Sequence, residues 1–267
     1  MTPEIEYERD GAVARIWLNR PSRRNALTVD LLNGLDKIVT EVEHDPSVRV
    51  LVLRGRGGTF CSGFDLDHLR GGFQGDKAQG TDVPGAGTFK RLSALRKPSI
   101  AVLEGYATAG GFELMLACDL AVAADTAEIG DLHIRRALIG GAGPIYRVPR
   151  MIGIRRTKEL LLTGKLIGAA QAQDWGLVNA VVAAADLDAA VDDLIAGLVD
   201  KAPYIMGVTK QAVDRSLDAD TETLMLVEHL AATTALRSAD AREGVAAFLE
   251  KRPPAWAQVE WTRKESR

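Results

Sequence analysis

Four short runs rich in Val, Ile, Leu and Ala alternate with segments of helical periodicity: Val13 to Leu18, Val48 to Leu53, Ser99 to Leu103 and Leu120 to Ala123. Runs of this length and composition read as short buried strands, and their alternation with helical patterns predicts an α/β architecture. The first helix follows Asn25-Ala26-Leu27-Thr28. Thr28 is placed to cap it, Leu31, Leu32, Leu35 and Ile38 recur at helical spacing, and the Asp45-Pro46 turn ends it. From about Ala184 onward strands give way to helical patterns over Leu187 to Leu198, Ile205 to Leu217, Thr221 to Leu236 and Ala241 to Leu249. The expected organisation is a core over 1–183 and a helical section over 184–267. In that section Leu224, Val227, Leu230 and Ala231 form an apolar stripe that packs either inward or against another subunit.

With 267 residues, 46% of them hydrophobic, the chain is long enough to bury a substantial core. A net charge of -3 from 33 basic and 36 acidic residues exerts no global pull on nucleic acid or anionic membrane, so an anionic ligand must be met locally. Cys61 and Cys118 stand far apart, which favours a reducing compartment over a disulfide framework. The N-terminal residues lack the basic-then-apolar signal pattern, and no apolar run approaches the roughly 18 residues of a membrane span. A cytoplasmic protein is expected. The glycine-rich stretch Gly71 to Gly87 reads as a mobile loop, either a lid over the preceding turn or a plain surface insertion.

The segment Gly110-Gly111-Phe112-Glu113-Leu114-Met115-Leu116-Ala117-Cys118 is almost wholly apolar around one carboxylate. A helix opening at Gly110 would aim unpaired N–H groups at whatever lies in front of it, with Glu113 one turn behind. Desolvation among Phe112, Leu114 and Met115 should raise the Glu113 pKa towards the range of neutral proton transfer. A second glycine turn, Cys61-Ser62-Gly63-Phe64-Asp65, also suits the presentation of backbone N–H groups. Two such groups aimed at one point stabilise an oxyanion.

These turns and their surroundings resemble the crotonase family, also called the enoyl-CoA hydratase/isomerase family. The matching pieces run in order along nearly the whole chain. They include Leu18-Asn19-Arg20-Pro21, Arg24-Asn25-Ala26-Leu27, Phe60-Cys61-Ser62-Gly63-Phe64-Asp65-Leu66, Ala109-Gly110-Gly111-Phe112-Glu113-Leu114, Leu161-Leu162-Thr163-Gly164, Trp175-Gly176-Leu177-Val178 and Glu243 to Arg252. The resemblance implies a spiral of ββα units with a C-terminal helical region, assembled as a trimer or a dimer of trimers. It implies an enzyme that binds an acyl-CoA and holds the thioester oxygen on the N–H groups of Phe64 and Gly110. Substrate-binding positions would be Arg24, Ala26, Ser62, Phe64, Asp65, Leu66, Gly110, Phe248 and Lys251. Arg24 falls where a basic residue commonly lies near the CoA phosphates. Lys251 falls where a residue can reach CoA, sometimes across a subunit boundary, though a solvated lysine reads as well there.

The family pattern breaks at one catalytic position. Hydratases of the family use two glutamates; one matches Glu113, and the second is replaced here by His133 in Ile129-Gly130-Asp131-Leu132-His133. Imidazole exchanges protons near neutral pH, so a Glu113/His133 pair could share a water or substrate proton. A histidine bonded to backbone is the equal alternative. Asp131, two residues away, would share a face with His133 in an extended segment, but reads slightly better as a surface turn carboxylate. His68 follows the Phe64 turn and is a weaker candidate for the pocket edge. The stretch Ile139-Gly140-Gly141-Ala142-Gly143-Pro144 also departs, with Gly141 where some relatives place a catalytic Asp.

The expected function is an acyl-CoA lyase of the enoyl-CoA hydratase type, with Glu113, His133, Phe64 and Gly110 as the catalytic set. A hydrolase or C–C cleaving enzyme on a specialised acyl-CoA, and a non-catalytic acyl-CoA-binding oligomer, stay open beside it. No metal and no organic cofactor is expected, since CoA arrives as part of the substrate.

Overall fold

The computed structural model describes residues 3–67 and 85–256. The strands are β1 (Ile5–Asp10), β2 (Val13–Leu18), β3 (Val50–Gly55), β4 (Ser99–Leu103), β5 (Tyr106–Thr108), β6 (Leu120–Ala124), β7 (Glu128–Gly130), β8 (Ile167–Gly168) and β9 (Ala180–Val182). They form a six-stranded sheet ordered β1-β2-β3-β4-β6-β9 and a three-stranded sheet ordered β5-β7-β8. The large sheet is parallel apart from the β1–β2 hairpin. The helices are α1 (Val29–His44), α2 (Ala86–Ala94), α3 (Gly110–Ala117), α4 (Pro144–Thr163), α5 (Ala169–Trp175), α6 (Leu187–Val199), α7 (Pro203–Arg215), α8 (Thr221–Leu236) and α9 (Ala239–Glu250).

The spiral arises because, from β4 on, successive turns of chain give one strand to each sheet. β4 joins the large sheet, β5 the small one, and α3 follows; β6 and β7 repeat the step. Alternation along the strands supplies two cores. In β3, Val50 and Val52 face α6, where Leu187, Val191 and Ile195 cover them, while Leu51 and Leu53 face the interior shared with α1, α2 and α3. The first helix forms as its sequence predicts. The Thr28 hydroxyl accepts from Leu31 N–H at 3.0 Å, a cap worth about 1 kcal/mol. Leu31, Leu32, Leu35, Val39 and Val42 are buried, each stabilising by roughly 1.5–3 kcal/mol.

Three expectations need correction. The third strand starts at Val50, not Val48, because Val48 and Arg49 belong to the turn after α1. Gly87 lies inside α2, and Gly85 is its cap; the rest of the expected lid, and His68, lie outside the described residues. The stripe on α8 does not pack inward: no residue of that helix is buried, and Leu230 is 57% exposed. Strand β1 and the two- and three-residue strands β5, β7, β8 and β9 are additions to the four strands expected. Among the described residues no helix is long and apolar enough to cross a membrane.

Candidate functional site

Two glycine turns are zipped together by main chain. Cys61 N–H donates to the Tyr106 carbonyl at 2.8 Å, and Thr108 N–H donates to the Cys61 carbonyl at 3.0 Å. On the other side, Leu27 N–H donates to the Gly63 carbonyl at 2.8 Å and Asp65 N–H donates to the Leu27 carbonyl at 2.9 Å. Bracketing by Leu27 turns the Phe64 N–H away from that segment, and no described group accepts it. The Gly110 N–H at the start of α3 is likewise unengaged.

Glycine is required where these backbones meet. A Cβ on Gly111 would lie 2.1 Å from the Cys61 carbonyl oxygen, and one on Gly63, whose φ is +103°, would lie 3.1 Å from Gly110 N. A Cβ on Gly110 would strike the Phe64 ring at 2.7 Å. Ala109 just before the helix adopts φ 50° and ψ -120°, a conformation costing about 1–3 kcal/mol that aims the first N–H groups of α3. Such a pair of donors, beside a helix N-terminus, suits a developing oxyanion.

Glu113 sits one turn into α3 and is 1% exposed. Its Oε1 accepts from Ala142 N–H at 2.8 Å. Burial pushes the carboxyl above the usual carboxylate range; the Ala142 N–H and the His133 ring pull it down, and Asp131 adds to the rise. His133 opens a 3₁₀ turn, His133–Arg136, immediately after β7. Its Nδ1 lies 2.6 Å from Asp131 Oδ1, and its backbone N–H donates to the same oxygen at 2.9 Å. Burial alone would disfavour the charged ring, but the hydrogen bond and charge of Asp131, with Glu113 beyond, raise its pKa above the ordinary histidine value. Asp131 is therefore no surface turn carboxylate: it is 3% exposed, and it meets His133 through a tight bend over Leu132 just ahead of the 3₁₀ turn, not across an extended strand. The imidazole alternative of a purely backbone-bonded ring is not met either, since its partner is a carboxylate.

A cavity of about 450 Å³ has Phe64, Ala109 and His133 in its wall, whereas Gly110 and Glu113 do not line it. Of the positions that the resemblance implies, Arg24, Ala26, Ser62, Phe64, Asp65, Leu66 and His133 line it. Arg24 also stacks over Tyr106, 5.1 Å from the ring centre. The Asp65 carboxylate is occupied by Arg20 Nη2 at 2.9 Å and Asp67 N–H at 3.1 Å, so it braces the turn. Phe248 and Lys251 do not reach the cavity within one chain. Phe248 is 83% exposed on α9, and Lys251 caps that helix with φ 55°. Sequence reading passed over Arg23, Leu132, Arg136 and Leu138 in the lining. The spacing of His133 and Arg136 held a signal, because residues three apart eclipse on a 3₁₀ turn.

The profile of the Enoyl-CoA hydratase/isomerase family matches residues 8–259. The mouse protein named "Enoyl-CoA hydratase domain-containing protein 2, mitochondrial" is 36% identical over 263 residues, covering 95% of this chain and 88% of its own. The short-chain-enoyl-CoA hydratase of Clostridium acetobutylicum is 32% identical over 251 residues, covering 93% and 95%. The crystal structure of an enoyl-CoA hydratase from Bacillus anthracis superposes with a TM-score of 0.91 at 33% identity, covering 96% of this chain and 100% of that one. With its two sheets wound as a spiral, its C-terminal helices and a match over nearly its whole length, the chain belongs to the enoyl-CoA hydratase/isomerase family.

Proposed function

We propose that the protein is an acyl-CoA lyase of the enoyl-CoA hydratase type, adding water to a 2-enoyl-CoA through a thioester enolate. The observation that carries this reading is a buried carboxylate, Glu113, one turn behind the unengaged Gly110 N–H on the helix that opens after the cavity-lining Ala109, with the unengaged N–H of Phe64 in the same cavity wall. Ionised Glu113 takes a proton from water as the oxygen bonds to C3 of the enoyl group. The double-bond electrons move onto the thioester oxygen, where the N–H groups of Phe64 and Gly110 hold the charge. His133 in its imidazolium form delivers a proton to C2, and the enolate electrons form the new C–H bond; the raised pKa makes the Glu113 carboxylate a stronger base and favours the acid form of His133. Arg24 supplies a positive charge for CoA phosphates.

Assembly into a trimer or a dimer of trimers is part of this reading. The exposed Met225, Leu226, Val227 and Leu230 of α8 support it, because such a face is stabilised by covering it. Phe248 and Lys251 would then meet the ligand of a neighbouring copy.

The test follows loss of the conjugated enoyl absorbance of crotonyl-CoA in wild type, Glu113→Gln and His133→Ala. Turnover that collapses in Glu113→Gln supports the reading. Crotonyl-CoA bound but never converted by wild type sinks it in favour of a non-catalytic binder or a specialised acyl substrate.

A further inference from the structure

The proposed reaction leaves a second buried carboxylate, close to Glu113, without work. Asp131 is 3% exposed, and a carboxylate so placed needs compensating partners. His133 provides two, its backbone N–H at 2.9 Å and its ring Nδ1 at 2.6 Å, both on Oδ1. Oδ2 turns the other way, towards Gly140. A Cβ there would lie 3.1 Å from Asp131 Oδ2 and 3.0 Å from Glu113 Oε1, so the two carboxylates converge where residue 140 has no side chain.

A carboxylate bonded to one ring nitrogen decides which nitrogen of a neutral imidazole holds the proton. Nδ1 keeps its hydrogen to donate to Oδ1, and Nε2, which has no described partner, becomes the site where protons come and go. We propose that Asp131 is a positioning residue that locks His133 in the Nδ1–H tautomer, so that every proton exchanged with the acyl group passes through Nε2. This rests on the reading of His133 as the proton donor to C2. The charged groups facing the ring are Asp131, Glu113 from α3, and Arg136 from the same 3₁₀ turn. The two carboxylates favour the imidazolium, whereas Arg136 and burial oppose it. An Asp–His pair thereby does with two side chains what a single carboxyl group does at the family's second catalytic position: it holds a proton over the substrate and receives it back.

The test is ¹⁵N NMR of the full-length protein labelled at histidine, with the His133 signals identified by their loss in His133→Asn. In wild type the neutral ring should carry its proton on Nδ1, and the ring should titrate above the ordinary value of 6.5. In Asp131→Asn the titration should fall by about one pH unit, and the alkaline limb of kcat/KM for crotonyl-CoA should fall with it. KM should stay within about twofold, since the cavity wall is unchanged. A neutral wild-type ring protonated on Nε2 overturns the proposal, and needs no variant to fold. So does an Asp131→Asn protein whose titration and alkaline limb match wild type. Failure of wild type to turn over crotonyl-CoA overturns the hydratase reading instead, and the NMR titration still decides whether Asp131 sets the tautomer.

Discussion

In the proposed reaction the working groups around Phe64 and Gly110 are main-chain N–H donors, fixed by the bonds between the Cys61 and Ala107 segments and by glycines that admit no side chain. Around Glu113 and His133 they are side chains, held by one N–H of Ala142 and one carboxylate, Asp131. The first region is the fold itself, so altering it alters everything packed on it. The second is mounted on the fold and can be altered while the scaffold stands.

The sharpest way to break that contrast is Gly111→Ala. Its Cβ would sit 2.1 Å from the Cys61 carbonyl, so the turns must separate. Thermal melting and turnover should both suffer, with a loss of about 1–3 kcal/mol in stability. A variant that melts like wild type would show that the zipper is not rigid.

Glu113→Gln should separate the two quantities. Turnover should fall by about 10²–10⁴-fold. Because the folded carboxyl has a raised pKa, the folded state holds its proton more tightly than the unfolded chain, and stability declines as pH rises through that window. The glutamine escapes this decline, so its melting temperature at neutral pH should equal or exceed that of wild type. A drop in melting temperature would mean that the charge stabilises the site.

His133→Asn should cost less, about 10²-fold in kcat/KM, and should change the shape of the pH profile. Wild type should rise as Glu113 ionises and fall as His133 loses its proton. The variant should lose the falling limb. The raised folded pKa also makes the His133 contribution to stability complete below the ordinary histidine range, and it fades as pH rises through the folded value. Melting curves of the variant should therefore converge on wild type in alkali. Persistence of the alkaline limb would remove His133 from the chemistry.

Arg24→Ala should have the smallest effect, raising KM by about tenfold with kcat unchanged, as loss of uniform binding requires. Steady-state kinetics on crotonyl-CoA measure both constants. A fall in kcat would place Arg24 in the reaction and not in binding.

Much of this was legible in residues 13 to 123. Strands buried on both faces leave continuous apolar runs, the Thr28 cap leaves its hydroxyl, and a lone Glu113 in an apolar helix announces its desolvation. β5, β7 and β8 were not legible as strands, since two or three residues show no period and their pairing depends on distant partners. Asp131 was misread for a related reason. Sequence spacing alone did not separate an extended segment from a bend leading into a 3₁₀ turn, and only the bend brings both His133 nitrogens onto one Asp131 oxygen. The lining by Arg136 follows from the same turn.

One consequence of the zipped turns concerns heredity. Their two N–H donors are properties of the path the chain takes, and no codon spells them as a side chain. If the proposed reaction holds, a lineage with such a scaffold can replace its proton-carrying residues one at a time while the main-chain donors keep their place. Descendants of one binding pose are thereby free to differ in the reactions they run.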